Sequence, residues 1–484
     1  MKKILYITPP YHAGVVEVAG KWVPLYLVYL AGATRSAGFP SAIYDAMTKD
    51  VGFDDIAERI RDYDPDVVAV SMITSTTPDG IRVLELAKEI NPRIITVAGG
   101  VHPSFMYDEL FATTTALDYV VIGEGEQTVV QLLQALSNGG GIDKVPGLAY
   151  RENDGTVLTA TRPRLASFDN RPMGWDLLDW EDYTYFILPG SRLGAVDTSR
   201  GCDKDCTFCS QQKFWGQSWR ARSPEDITRE MELLATRFGV DVVLFTDDYP
   251  TPERERWEKM LDLLIERDLG ISILMETRAQ DIIRDRDILE KYRRAGIIHI
   301  YVGTEATEQK TLDLLKKDLT IDESKEALRL CREHNIITET SMILGFPDDT
   351  PETMDRTIEL AREYNPDFAH FLAIAPWPYA DIYKDLEPYV AERDYRKYNL
   401  IDPVIKPKNM SLEDVDRAIV NGYRRFYMGK FIEMLASGDT FKKKYMLNAM
   451  RRMMNNSFIR KKLGMLGGEM PPEIKAIVYG KIDD

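Results

Sequence analysis

Short apolar runs alternate with amphipathic stretches from Lys3 to about Leu136, the runs falling at residues 4–8, 42–44, 67–73, 94–98 and 119–122. Runs apolar on both faces are what a parallel sheet covered by helices requires, so five βα units are expected. In a doubly wound sheet of this kind a ligand sits at the carboxyl edge, where strand ends and helix amino termini converge. Turn-forming residues collect there: Thr8-Pro9-Pro10, Thr74 to Pro78 with Ser75, Gly99-Gly100, and Gly123-Glu124-Gly125-Glu126. Each alone is an ordinary βα turn; the four together outline a binding edge.

A second βα series is expected from about Leu193 to Pro378, with strands at 195–199, 242–246, 272–277, 297–303, 338–344 and 368–375. Helical periods lie between them at 224–237, 251–267, 281–295 and 321–334, and Gly239, Gly270 and Gly296 stand where helices stop. Six such units make an incomplete barrel whose active face is the carboxyl end of its strands. Between the two series the chain is first Gly-rich, then rich in Pro and aromatics, which suits a connector with one hairpin about Asn153-Asp154-Gly155. The tail lacks β-rich runs and is dense in Arg, Lys and Met. The expected organisation is therefore a doubly wound domain at 1–140, a linker at 141–192, a partial barrel at 193–386 and a mostly helical, basic, Met-rich domain at 387–484.

Composition narrows the class. The chain has 484 residues, 44% hydrophobic and 29% charged, which suits a soluble protein with several cores. A net charge of −16 disfavours a general attraction to nucleic acid. Eleven Lys or Arg between Arg424 and Lys462 face only Glu433 and Asp439, a local +9 on a remainder of −25. Such a patch is a solvated helical face, an internal dock, or a platform for an acidic protein or anionic surface. No run approaches the roughly 18 to 20 apolar residues of a membrane span, and the amino terminus suits a first strand better than a signal peptide. Four cysteines make no disulfide framework, so a reducing cytoplasm is expected.

Three of those cysteines form Cys202-x3-Cys206-x2-Cys209, directly after the first strand of the second series. Three thiolates on one loop can hold three corners of a cubane iron cluster, and without a matching fourth cysteine one iron stays open to a ligand. The alternatives are a zinc site lacking its fourth ligand and a coincidence of spacing. The remaining Cys331 falls on the apolar face of a helix and is expected to be a core thiol. His299 and His370 lie in or beside strands and are assigned to structure, as is the helically spaced set Met446, Met450, Met453 and Met454.

With Phe208 before the third cysteine, this segment resembles the radical S-adenosylmethionine superfamily. The resemblance implies that S-adenosylmethionine chelates the open iron through its amino and carboxylate groups. It implies too that an electron donor such as ferredoxin or flavodoxin drives its cleavage to a deoxyadenosyl radical. Contacts to S-adenosylmethionine are then expected at strand ends. Thr246-Asp247-Asp248 stands where relatives often carry a Gly-Gly-Glu-like segment, and Glu276-Thr277-Arg278 offers Arg278 to the methionine carboxylate. Gly303-Thr304-Glu305 would reach a ribose or ammonium, and the segment holding Gly345 lies near the adenine in relatives.

The first domain adds Trp22-Val23-Pro24-Leu25, Gly99-Gly100-Val101-His102-Pro103 and Val121 through Glu126. These look like the cobalamin-binding group of the superfamily, which implies a flavodoxin-like cobalamin domain. Cys209 through Trp215, followed by Trp219 through Pro224, is most similar to the branch containing the anaerobic magnesium-protoporphyrin IX monomethyl ester cyclases; archaeal protein-modifying methyltransferases are similar. The Asp-x-His-x-x-Gly motif that supplies a histidine to cobalt is absent, because only His12 and His102 precede the barrel and Gly100 stands two positions before His102. Cobalt is expected to face water, an oxygen side chain from 74–77, or nothing. The expected reaction is transfer of a methyl group from methylcobalamin to an unactivated sp3 carbon, with a protein or peptide side chain among the candidates. The alternatives are an oxygen-independent oxidative cyclase of a porphyrin-like or polycyclic substrate and a noncatalytic cobalamin or iron-sulfur sensor.

Overall fold

Five apolar runs pair in parallel as β1 (Ile4–Thr8), β2 (Ser41–Asp45), β3 (Val67–Ser71), β4 (Ile95–Gly99) and β5 (Tyr119–Val121), in the spatial order β2-β1-β3-β4-β5. The computed structural model describes residues 2–11, 19–153, 155–436 and 438–455. β1 is buried along its whole length because each face has its own helical layer. Ile4, Tyr6, Val67 and Ala69 pack on one side, and Leu5, Ile7, Val68 and Val70 on the other.

The hairpin expected in the connector forms β6 (Leu148–Glu152) and β7 (Gly155–Leu158), but it belongs to the first sheet. β6 lies antiparallel on β5, with Leu148 opposite Val121 and Ala149 opposite Val120. Leu148 and Ala149 are fully buried there, so the pairing covers an edge that β5 would otherwise leave open. The first unit thus continues past residue 140 to Leu158.

The second sheet begins with β8 (Leu193–Val196). A two-stranded ribbon follows, β9 (Ser199–Gly201) against β10 (Trp219–Ala221), then β11 (Val242–Phe245), β12 (Ser272–Thr277), β13 (Ile297–Val302), β14 (Ile337–Leu344) and β15 (Phe368–Ala373). β8 and β11 to β15 are parallel neighbours in chain order, a six-stranded partial barrel. The single strand expected at 195–199 is two elements, because the chain leaves the sheet after Val196. Asp247 takes hydrogen bonds from the Thr198 amide at 2.9 and 3.0 Å, from the Thr198 hydroxyl at 2.7 Å and from the Ser199 hydroxyl at 2.5 Å, which turns the backbone into β9.

Helix Pro224–Phe238 has a Ser223 cap, Pro at its first position and a left-handed Gly239 at its end, as its sequence suggests. The period at 281–295 splits into Ala279–Arg284 and Leu289–Arg294, where buried Asp285 accepts from Arg284 and Tyr292. The tail is helical over Leu412–Ala436 and Thr440–Asn455, whereas 387–411 carries only short turns among Pro388, Pro403 and Pro407, which lack an amide proton. Residues 456–484, with Arg460, Lys461 and Lys462, lie outside the described residues, as does His12.

Tyr445 of the last helix bonds His299 Nδ1 at 2.8 Å and the Tyr185 hydroxyl, tying the tail to the barrel and the connector. His299 and His370 both meet Glu339 of β14, His299 at 2.9 Å. Burial opposes that carboxylate's charge, yet His370 and His299 hold it well below the usual range. Much of the basic patch is docked internally: Arg425 pairs with Asp355 at 2.9 Å and Glu359 at 3.2 Å, and Lys442 with Asp367 at 2.6 Å. Among the described residues no helix is long and apolar enough to cross a membrane.

Candidate active site: the cluster loop and the seam between the domains

Gly201 ends β9 at a φ of +89°, and a Cβ there would lie 2.1 Å from the Ser218 carbonyl oxygen, so only glycine admits the ribbon's tight crossing. The next residue is Cys202. The cysteine loop is then fixed from outside: the Thr207 amide donates to the Leu315 carbonyl at 3.0 Å, and the Thr207 carbonyl accepts from the Ile382 amide at 3.0 Å. All three cysteines are free thiols, Cys206 buried and the others partly exposed. Burial pushes the Cys209 thiol up to about 12, against the opposing Gln211 amide. Burial raises Cys202 too, with the Lys204 amide and the Arg278 charge working against it.

Beside this loop the strand ends gather carboxylates. Glu276 is exposed by surface yet its carboxyl is pushed up to about 8, first by desolvation and then by Asp248 and Glu305. Asp248 is pushed up to about 7 by burial and by Asp247, with the nearby Trp215 indole opposing. Glu305, in the left-handed region at φ +62°, pairs with buried Lys317 at 2.7 Å, and Lys317 lies 5.9 Å from the Phe208 ring centre. A Cβ at Gly303 would meet the Lys317 Nζ at 2.8 Å. Thr246 is exposed at the end of β11.

Two expected contacts are otherwise engaged. Asp247 is buried and saturated by Thr198 and Ser199, so it shapes the approach to the loop. Arg278 donates to the carbonyls of Lys317 at 2.8 Å and Asp318 at 3.0 Å. Gly345, at φ +83°, donates its amide to Asp349 at 2.9 Å.

At the edge of the first sheet, Thr8 donates to Asp45 at 2.7 Å, Pro9 and Leu25 are buried, Pro10 is partly so, and Trp22 meets Tyr185 edge-on at 6.2 Å. Thr74 and Ser75 are buried, and Thr74 bonds the Tyr379 hydroxyl at 2.8 Å and His102 Nδ1 at 3.2 Å. His102 is fully buried and its imidazole is pulled down to about 4 by desolvation, so it is neutral. Gly100, at φ +102°, admits no side chain, since a Cβ would lie 2.5 Å from the Met72 carbonyl oxygen; its neighbour Gly99 ends β4. Open space remains at this edge: Ile73 is 53% and Tyr26 46% exposed, and a Cβ at Gly123 would meet nothing within 4 Å.

Glu124 and Glu126, expected on the cobalamin edge, turn toward the barrel. Glu124 takes both Nη atoms of Arg220 at 3.0 Å and Arg200 Nη1 at 3.0 Å; Glu126 takes Arg200 Nη2 at 2.6 Å. Gly125 between them packs under Leu30.

The family pattern described as a B12 binding domain matches residues 11–133, and that of the radical SAM superfamily matches residues 196–361. An anaerobic magnesium-protoporphyrin IX monomethyl ester cyclase of Rubrivivax gelatinosus is 36% identical over 99% of this chain and 87% of its own. The chain belongs to the cobalamin-binding radical S-adenosylmethionine family. An uncharacterized methyltransferase of Pyrococcus horikoshii is 31% identical over 88% of this chain and 92% of its own. The solved structure of the radical S-adenosylmethionine methyltransferase TsrM from Kitasatospora setae, with cobalamin and a 4Fe-4S cluster bound, is 20% identical with a TM-score of 0.66, covering 86% of this chain and 85% of that one; it speaks to the fold.

The residues present fit the cofactors of a cobalamin-binding radical S-adenosylmethionine enzyme. Three free thiols on one pinned loop are the donor set of an open cubane. Crowded carboxyls with raised affinity for protons, Asp248 and Glu276, suit the cationic sulfonium and ammonium of S-adenosylmethionine. The open space at Gly123 and the exposed apolar side chains of Ile73 and Tyr26 suit a large corrin ligand on the first domain. Arg200, Arg220 and Tyr379 carry the seam, yet nothing in the sequence assigned them a role. The two arginines stand inside the motif flanking the cysteines, which is a signal of position alone, and Tyr379 meets Thr74 only through the fold.

Proposed function

We propose that this chain is a radical C-methyltransferase that transfers a methyl group from methylcobalamin to an unactivated sp3 carbon of a bulky substrate, with a protein or peptide side chain among the candidates. The observation that carries the reading is the opposition of the open Gly123 edge to the cysteine loop across a seam bridged by Glu124. When bound, the cofactors supply a carbon-centred radical and a cobalt-held methyl group. Cys202, Cys206 and Cys209 hold the cluster, which a ferredoxin- or flavodoxin-type donor reduces. Asp248, Glu276 and Glu305 set a negative field at the strand ends for the cationic end of S-adenosylmethionine. Exposed Ile73 and Tyr26 offer apolar surface on the first domain that a bound cofactor or substrate would cover.

The second reading, an oxygen-independent oxidative cyclase of a porphyrin-like or polycyclic substrate, is favoured by the 36% likeness over 99% of the chain. The coproducts separate the two. Reconstituted, reduced protein supplied with cobalamin and extract of its own cells yields S-adenosylhomocysteine and deoxyadenosine together if it methylates. Deoxyadenosine alone indicates the cyclase, and neither product indicates a sensor. Changing Cys202, Cys206 or Cys209 to Ala removes the cluster, lowering iron from about four per chain and abolishing both products.

A further inference from the structure

We infer that Glu124 is a positioning residue that couples the cobalamin edge to the cluster loop, by acting as the common counter-ion of two arginines that the ribbon forces side by side. The inference rests on the reading of the site as a paired cobalamin and cluster centre. In the antiparallel ribbon Arg200 stands directly opposite Arg220, and Gly201 opposite Trp219. Like charges directly opposite each other destabilise a strand pair, and these two have little solvent to screen them, with side-chain exposures of 9% and 15%. Most of their neutralisation comes from the other domain, and for Arg220 all of it. Glu124, 8% exposed, takes a two-pronged bond from Arg220 and a third bond from Arg200. Glu126 takes the other Arg200 Nη, and Asp197 takes its Nε at 3.1 Å.

The placement of Glu124 gives this pairing its consequence. It lies one residue after Gly123, the open point of the cobalamin edge, and its arginine partner Arg200 lies two residues before Cys202. The same carboxylate therefore fixes the end of β5 and the start of the cysteine loop, and it makes a correctly paired ribbon depend on a docked first domain. Buried forked pairs of this kind hold one geometry, because removing the shared acid leaves Arg220 with no carboxylate while it still faces Arg200, which keeps Glu126 and Asp197. Both carboxylates are taken up by arginines of the ribbon, and on this inference they act on the cobalamin edge through the seam.

Holoenzyme carrying cob(II)alamin and reduced cluster reports the separation of the two paramagnetic centres by pulsed electron paramagnetic resonance. Wild type is expected to give one narrow distance, and Glu124→Gln a broad or shifted one with cobalamin affinity unchanged. In Glu124→Gln/Arg220→Gln the like-charge contact is gone, so the narrow distance is expected to return in large part. Glu124→Asp, whose shorter side chain cannot span both arginines, covers the case in which Glu124→Gln does not fold, and is expected to broaden the distance more than Arg220→Gln, which leaves no like-charge contact. A distance unchanged in Glu124→Gln, a double variant no narrower than Glu124→Gln, or a Glu124→Asp protein no broader than Arg220→Gln overturns the coupling. Loss of cobalamin affinity in Glu124→Gln overturns it as well, in favour of direct contact. A wild-type chain that takes up neither cofactor overturns the functional reading together with this one.

Discussion

Glu276 and Asp248 set the pH behaviour of the site. Both carboxyls bind protons more tightly in the folded chain than in the unfolded one, so the stability tied to them is present at low pH and is lost as pH rises through about 7 to 8. The groups facing Glu276 are Asp248, Glu305, Lys317 and Asp247. The melting temperature of the cofactor-free protein is expected to fall from about pH 5 to about pH 8, between the unfolded and folded proton affinities, and Glu276→Gln to flatten that fall; an equally steep fall in the variant would remove Glu276 as its source. S-adenosylmethionine, as a cation, should bind more tightly across the same rise. Cys331, by contrast, is fully buried with its thiol pushed up to about 12, and it should resist alkylation in the native protein. His102→Ala should leave the electron paramagnetic resonance spectrum of cob(II)alamin unchanged, since no Asp stands two positions before this histidine to present its ring to cobalt; loss of a nitrogen splitting in that variant would show the ring on cobalt.

The ribbon of β9 and β10 is the element on which the site turns. Gly201→Ala places a Cβ against the Ser218 carbonyl oxygen at a φ of +89°, so it should cost about 2 kcal/mol or more and lower the iron retained on reconstitution. An unfolding midpoint and iron content equal to wild type would show that the ribbon yields freely. The ribbon also marks where the sequence stops being legible. Strands buried on both faces, such as Ile4–Thr8 and Ser272–Thr277, announce themselves by unbroken apolar runs. The break after Val196 does not, because it is made by Asp247, a residue far along the chain that captures Thr198 and Ser199. The same holds for β6 and β7: their turn was visible at Asn153 and Gly155, but their membership of the first sheet depends on the open edge of β5.

At the scale of the whole molecule, the two sheets are one packed body. Leu27 and Val28 of helix Leu25–Ser36 share a core with Trp175, Leu193 and Val196, and Tyr29 of the same helix donates to Asp197 at 3.0 Å. Arg171 crosses the Tyr29 ring at 3.4 Å and joins the same aspartate. The sequence displayed the cysteines and the two series of strand ends, because their chemistry is local. It could not display which carboxylates gather beside the cysteine loop and which lock the seam, because Glu124 and Glu276 differ only in what folds beside them. The basic tail shows the same limit: Arg425 and Lys442 are matched to acids of the barrel, which weakens the case for an external platform. Reversing exposed Lys444 to Glu should leave the salt dependence of substrate binding unchanged if the patch is a dock.

The most direct test of the central claim follows the methyl group itself. Cells producing this chain, and cells producing its Cys209→Ala variant, are grown on methionine with a trideuterated methyl group, and their small molecules and proteins are compared by mass spectrometry. Methyl transfer predicts a species carrying an intact trideuteriomethyl group on carbon that is present with the wild-type chain and absent with the variant. A product dependent on Cys209 that has lost hydrogens and carries no label would contradict methyl transfer and establish the cyclase.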